Sequence, residues 1–209
     1  MMKKLPISNS RYRNIVERNL AYVDKTEFIE KLYNSAVDTP LFLRPRRFGK
    51  TLFTEILFYY YDKAAESFAD ELFRGKYIYE HPVPYKNSYC VLKFDFSGID
   101  TVGTADSIVS DFAGRIRKSF IDFYRRYPEL LPYGLRSSDG GGYAEAFDVL
   151  YADLSPARCL DTFLKNFSLS GTEYKIMVII DEYDNFTNDI LSRDPELFEK
   201  LANKQGLRF

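Results

Sequence analysis

Pro40-Leu-Phe-Leu-Arg-Pro-Arg-Arg-Phe-Gly-Lys-Thr51 is a short apolar run that breaks into a basic turn and ends in a glycine, a lysine and a hydroxyl residue. Leu41 to Leu43 read as a buried strand. Leu52, Phe53, Ile56, Leu57 and Tyr60 then fall at helical spacing, so the order is strand, loop, helix. A phosphate-binding loop has that order: backbone N–H groups at a helix start surround the phosphates, a lysine reaches the outer ones, and the next hydroxyl ligates Mg2+. Lys50 and Thr51 stand in those two positions. The general pattern G-x-x-x-x-G-K-[ST] is incomplete, because Arg44 occupies the first glycine position and Pro45 follows it. Proline has no N–H and pushes its predecessor toward extended geometry, so the loop has one phosphate donor fewer. Arg46 and Arg47 are the residues available to replace it in part. The competing reading of this stretch is a solvated arginine-rich loop that binds nothing in particular.

A second stretch shifts the balance. Tyr174-Lys-Ile-Met-Val-Ile-Ile180 is a nearly continuous apolar run of strand length that ends in Asp181-Glu182. In P-loop NTPases an aspartate at such a strand tip holds Mg2+, and a following glutamate can orient and deprotonate the attacking water. An acidic pair closing a strand at the surface is the plainer alternative. Two motifs in this order, each at the C-terminal end of a hydrophobic strand, favour a nucleotide site. The expected fold class is α/β, a three-layer αβα P-loop NTPase with a mostly parallel sheet.

With 209 residues, 45% hydrophobic and 28% charged, the chain is ordinary in composition for one globular domain, and one domain over 1–209 is expected. A net charge of -1 gives no global attraction to nucleic acid or anionic membrane, and Arg44 to Lys50 is the dense basic segment. Cys90 and Cys159 fit neither a disulfide scaffold nor a metal-ligand spacing, and a reducing cytoplasm suits them. No run approaches transmembrane length, and no apolar region follows the N-terminal lysines. The single histidine, His81, lies in a turn beside Pro82, which speaks against histidine catalysis or a zinc site.

Along the rest of the chain, Asp24 reads as an N-cap with Glu27 as its capping-box partner and Val23 stapled onto Phe28. Cys90 to Phe96 reads as a strand closed by Ser97-Gly98, which puts Asp95 and Ser97 at its C-terminal end, in a turn or capping role or, as the sharper alternative, in indirect contact with Mg2+ or Lys50. Thr104 to Tyr127 places Ile108, Phe112, Ile116, Phe120 and Tyr124 along one helical face, and Arg115, Arg117, Lys118, Arg125 and Arg126 around the rest. Pro128 to Gly142, with Ser137-Ser-Asp-Gly-Gly-Gly142 at its end, is the expected flexible segment and internal hinge. Tyr143 to Asp153 and Pro156 to Phe167 read as helices, the second capped by Ser155, and a last helix begins at Asp194-Pro195.

Taken together, Leu5-Pro-Ile7, Tyr22-Val-Asp-Lys-Thr26, Phe42-Leu-Arg-Pro-Arg-Arg-Phe-Gly-Lys-Thr51, Phe94-Asp-Phe-Ser97 and Ile180-Asp-Glu-Tyr-Asp184 resemble the bacterial and archaeal AAA-ATPase-like family. The resemblance spans nearly the whole chain and makes the missing first glycine a family trait. It implies ATP and Mg2+ as ligands and a domain that often continues into one resembling PD-(D/E)XK nucleases. It also implies a further strand with a polar sensor residue after Asp184, which the sequence does not display, so the domain is expected to be incomplete at its C-terminus.

The leading expectation is therefore a Mg2+-dependent ATPase module. Lys50 acts on the outer phosphates, Thr51 and Asp181 on the metal, and Glu182 as base, with Arg46, Arg47, Phe48 and Gly49 lining the nucleotide. Binding is better supported than hydrolysis. The alternative is a non-hydrolysing regulatory or DNA-associated module, with DNA reached through a longer parent protein and the basic face around Arg115 to Arg126. A metal nuclease using Asp95, Asp181 and Glu182 lacks a lysine in the required order. Nothing indicates oligomerisation.

Overall fold

Tyr89–Asp95 (β1) and Lys175–Asp181 (β2) pair in parallel as a two-stranded sheet in a computed structural model that describes residues 3–6, 11–43, 48–131, 151 and 155–203. Helices surround the pair in sequence, so the chain is a mixed α/β protein. Cys90, Val91, Leu92 and Phe94 are buried, so β1 is covered on both faces, which is why it reads as an unbroken apolar run. β2 is different. Ile179 and Asp181 are buried while Val178 and Ile180 are exposed, so its second half alternates. The ladder extends one step past the strand ends, where the Phe96 N–H donates to the Asp181 carbonyl at 3.1 Å.

The chain divides into two compact units, Met1–Val91 with Tyr174–Met177, and Leu92–Glu173 with Val178–Phe209. The first contains helices α1 (Tyr12–Glu17), α2 (Glu27–Asn34), α3 (Lys50–Tyr61), α4 (Glu66–Phe73) and α5 (Tyr77–Glu80). α3 buries Phe53, Ile56, Leu57, Tyr60 and Tyr61 on one side, as its apolar spacing requires. Phe53 meets Phe28 and Phe42 edge to face, with centroids 6.2 and 5.2 Å apart. Buried polar groups pin the loops. The Tyr12 hydroxyl donates to the Leu72 carbonyl at 2.9 Å. The Tyr60 hydroxyl donates to the Val83 carbonyl at 3.0 Å and accepts from the Val83 N–H at 2.9 Å.

The second unit is built on α6 (Ala105–Arg126) and α7 (Pro156–Leu169), followed by α8 (Asn185–Arg193) and α9 (Pro195–Asn203). Thr104 caps α6 by accepting from the Ser107 N–H, and Ser155 caps α7 with Pro156 at its first position. The expected face of α6 is buried throughout, from Ile108 to Tyr124. Phe120 stacks on Phe163 of α7 at 4.4 Å, and Phe123 meets the same ring edge-on at 5.0 Å. These large rings pack the two helices together.

Three sequence expectations change. Leu41 to Leu43 form no strand, and Leu41 and Leu43 are exposed. A strand exists only through its ladder, and among the described residues this triplet between Pro40 and Pro45 has no neighbouring strand to supply one. Asp24 is not the residue flanking α2; Thr26 is, and Asp24 reaches it from two residues earlier. Val23 is exposed, so no staple onto Phe28 forms. Of the expected hinge at 128–142 only 128–131 are described: Pro128–Leu130 form a short 3-10 turn, and Leu130 and Leu131 are buried. The rest lies outside the described residues, as does nearly all of the expected helix at 143–153.

Candidate functional site

Lys50 is the first residue of α3, and Gly49 before it is left-handed, with φ 79° and ψ 28°. A left-handed residue lets the chain turn sharply into the helix, and glycine adopts that geometry without the strain a Cβ brings. The first turn of α3 carries no acidic side chain, so nothing there competes with an anion for the positive end of the helix. Lys50, Thr51 and Gly49 are each half-buried, and Phe48 is exposed. The Thr51 carbonyl accepts from the Thr54 hydroxyl at 2.9 Å. Arg46 and Arg47 lie outside the described residues. This glycine-lysine-threonine start belongs to the first unit.

The acidic tip belongs to the second unit. Asp181 is the last residue of β2 and is buried, held in register by the bond between its carbonyl and Phe96. Glu182 follows with φ 57°, left-handed although it carries a side chain. Such a conformation costs on the order of 1 kcal/mol or more and persists where the surroundings impose it. The strained residue is the one the sequence singles out as a base. Asp95 ends β1, and its Oδ1 accepts from the Ser97 N–H at 2.9 Å, the turn role expected of it. Among the described residues no group of three or more His, Cys, Asp or Glu side chains is arranged to hold a metal.

The segment Tyr22 to Thr26 has a defined structural job. Asp24 Oδ1 accepts from the Thr26 N–H at 2.9 Å, and its Oδ2 accepts from the Tyr77 N–H at 2.7 Å. Thr26 Oγ1 accepts from the Ile78 N–H at 3.1 Å and is fully buried. Both side chains thus satisfy the first N–H groups of α5. Sequence reading overlooked Lys25 between them. Its Nζ lies 3.5 Å from where a Cβ on Gly49 would be. Its place inside the quoted Tyr-Val-Asp-Lys-Thr string was the available signal.

The basic face of α6 is largely committed. Arg115 donates to the Gly98 carbonyl, Arg117 to the Tyr151 carbonyl at 3.3 Å, and Arg126 to the Asp122 carbonyl at 3.0 Å. Arg125 pairs with Asp122. Cys90 and Cys159 are both buried, and burial pushes the Cys159 thiol up, away from reactivity. His81 packs against the Tyr77 ring at 4.5 Å. No helix among the described residues is long and apolar enough to cross a membrane.

A mixed α/β chain with a glycine-lysine-threonine helix start and an acidic strand tip has the motif order of a nucleotide-binding protein. The chain belongs to the AAA-ATPase-like family, described as Predicted AAA-ATPase, which matches residues 6–208. It is 30% identical over 210 residues to the uncharacterized protein in the vnfD 5' region of Azotobacter chroococcum mcd 1. That match covers 99% of this chain and 33% of the relative, so the chain spans about a third of the relative's length. No solved structure matches.

Proposed function

We propose that the chain is the ATP-binding module of a Mg2+-dependent P-loop ATPase with the αβα sandwich of that class. The observation that carries this reading is the start of α3: a left-handed Gly49, then Lys50 and Thr51, with no acid in the first turn, in a chain of this family. The N–H groups of a helix's first turn have no intrahelical acceptor, so they and the helix dipole favour phosphate oxygens there. Lys50 neutralises the outer phosphates, and Phe48 and Gly49, with Arg46 and Arg47, line the phosphate chain. Thr51 and Asp181 are the residues that would hold the metal. Magnesium, when bound, draws charge from the phosphate oxygens. Glu182 takes the proton from the attacking water as general base, a role that contributes typically 10²–10⁴-fold to rate. In this reading a nuclease-like domain and any DNA contact would belong to a longer parent protein, and a cytoplasmic location goes with it.

Calorimetric titration of the chain with ATP and Mg2+ tests the proposal. The wild type binds, Lys50→Ala weakens binding at least tenfold, and Glu182→Gln binds ATP normally while turnover falls about 100-fold or more. A folded wild-type chain that takes up no ATP, or a Lys50→Ala variant that binds as well as wild type, overturns it.

A further inference from the structure

Resting on that phosphate site, we propose that Lys25 is its second cation, binding the polyphosphate chain of a nucleotide alongside Lys50. The strap that carries Lys25 is tied down on both sides. The Lys25 N–H donates to the Tyr22 hydroxyl at 3.1 Å, while Asp24 and Thr26 are bonded to the Tyr77 and Ile78 N–H groups at 2.7 and 3.1 Å. The lysine backbone is therefore fixed by contacts unrelated to its own side chain. That side chain is half-buried, and its ammonium sits 3.5 Å from the Cβ position of Gly49, the residue that opens α3.

A cation at a helix N-terminus faces the positive end of the dipole, an unfavourable placement that a neighbouring acid normally offsets. None does so among the described residues. The carboxylates on its own strap, on α2 and on α3 each have another partner: Asp24 with Thr26 and Tyr77, Glu27 with Lys31 at 3.0 Å, Glu30 with the Tyr77 hydroxyl at 2.6 Å, and Glu55 with the Tyr12 N–H at 2.6 Å. The first turn of α3 supplies no acid either. An ammonium and a helix start that repel one another become favourable together once an anion lies between them, and a phosphate chain has the charge and the reach to do so. The inferred preference is for nucleoside tri- and diphosphates over monophosphates.

The test is titration of the 209-residue chain with ATP, ADP and AMP in the presence of Mg2+, comparing wild type, Lys25→Met and Lys25→Arg. Methionine keeps the apolar stem and removes the charge. It is expected to weaken ATP and ADP at least tenfold and AMP less than threefold, with an unchanged melting temperature, and Lys25→Arg is expected to retain most of the affinity. Lys25→Gln repeats the comparison if the methionine variant melts lower. Wild-type binding with Lys25→Met unchanged for ATP overturns the role of Lys25 and leaves the ATPase reading standing. Equal weakening for all three nucleotides assigns Lys25 a merely structural part and overturns it too. A wild-type chain that binds no nucleotide brings down both.

Discussion

Two apolar runs lead into the two motifs, and they meet different fates. Ile176 to Ile180 is a strand, paired with β1 and holding Asp181 in place through a backbone bond. Leu41 to Leu43, equally apolar, is no strand, and its two leucines are exposed. Hydrophobicity marks a segment that gains by burial, but β structure needs a neighbouring backbone to accept and donate. The segments around the first motif are held instead by side-chain pins, the Asp24, Thr26 and Tyr22 bonds, while the second is held by the main chain.

The largest expected effect breaks the comparison at its paired end. Ile179→Ala removes a buried side chain from β2 and should cost about 2–4 kcal/mol in urea unfolding. Leu43→Ser, at an exposed and unladdered position, should stay within about 0.5 kcal/mol. Equal losses at the two positions would mean that Leu43 is packed after all.

The pins around the first motif give it a pH sensitivity that a backbone ladder lacks. Burial pushes the Tyr22 phenol up to about 12 from its ordinary value near 10, against the Lys25 N–H, which favours the phenolate. The folded chain then holds the proton more tightly than the unfolded one. Its contribution is fully present below pH 10 and is lost as pH rises from 10 through about 12. The loss is at most about 1.4 kcal/mol per pH unit, less for the part of the ring that water reaches. Denaturant melts of Tyr22→Phe should fall off less steeply over that window than the wild type, and identical slopes would refute the assignment.

The smallest effect sharpens the paired end. Glu182 is left-handed, so Glu182→Gly relieves a Cβ clash and should raise stability by about 0.5–1 kcal/mol over Glu182→Ala, which keeps the clash. A glycine variant less stable than the alanine one would show that no strain is stored there.

Much of the fold was legible in the sequence because burial follows periodicity. The four-residue steps from Ile108 to Tyr124 became the buried face of α6, and the Ser155 hydroxyl caps the helix expected of it. α8 was not legible. Asn185, Thr187, Asn188 and Asp189 are weak helix formers, and packing rather than propensity sustains that segment. At the candidate site, Gly49, Lys50 and Thr51 were legible as residue types in a known order, and Asp181 as a strand tip. Lys25 was not, since no rule of spacing links it to a glycine 24 positions later.

The amino-acid order alone therefore determined where the chain is apolar at helical or strand period, where most of its helices lie, which residue types stand in the order of a phosphate-binding loop and an acidic strand tip, and which family it joins. Only the tertiary structure decided which apolar run acquires a partner strand, which acid is forced into a left-handed turn, and which lysine reaches Gly49. Those outcomes depend on what residues distant in sequence supply, namely a free backbone edge, a confining turn or a strap pinned to another helix, and local pattern carries no record of them.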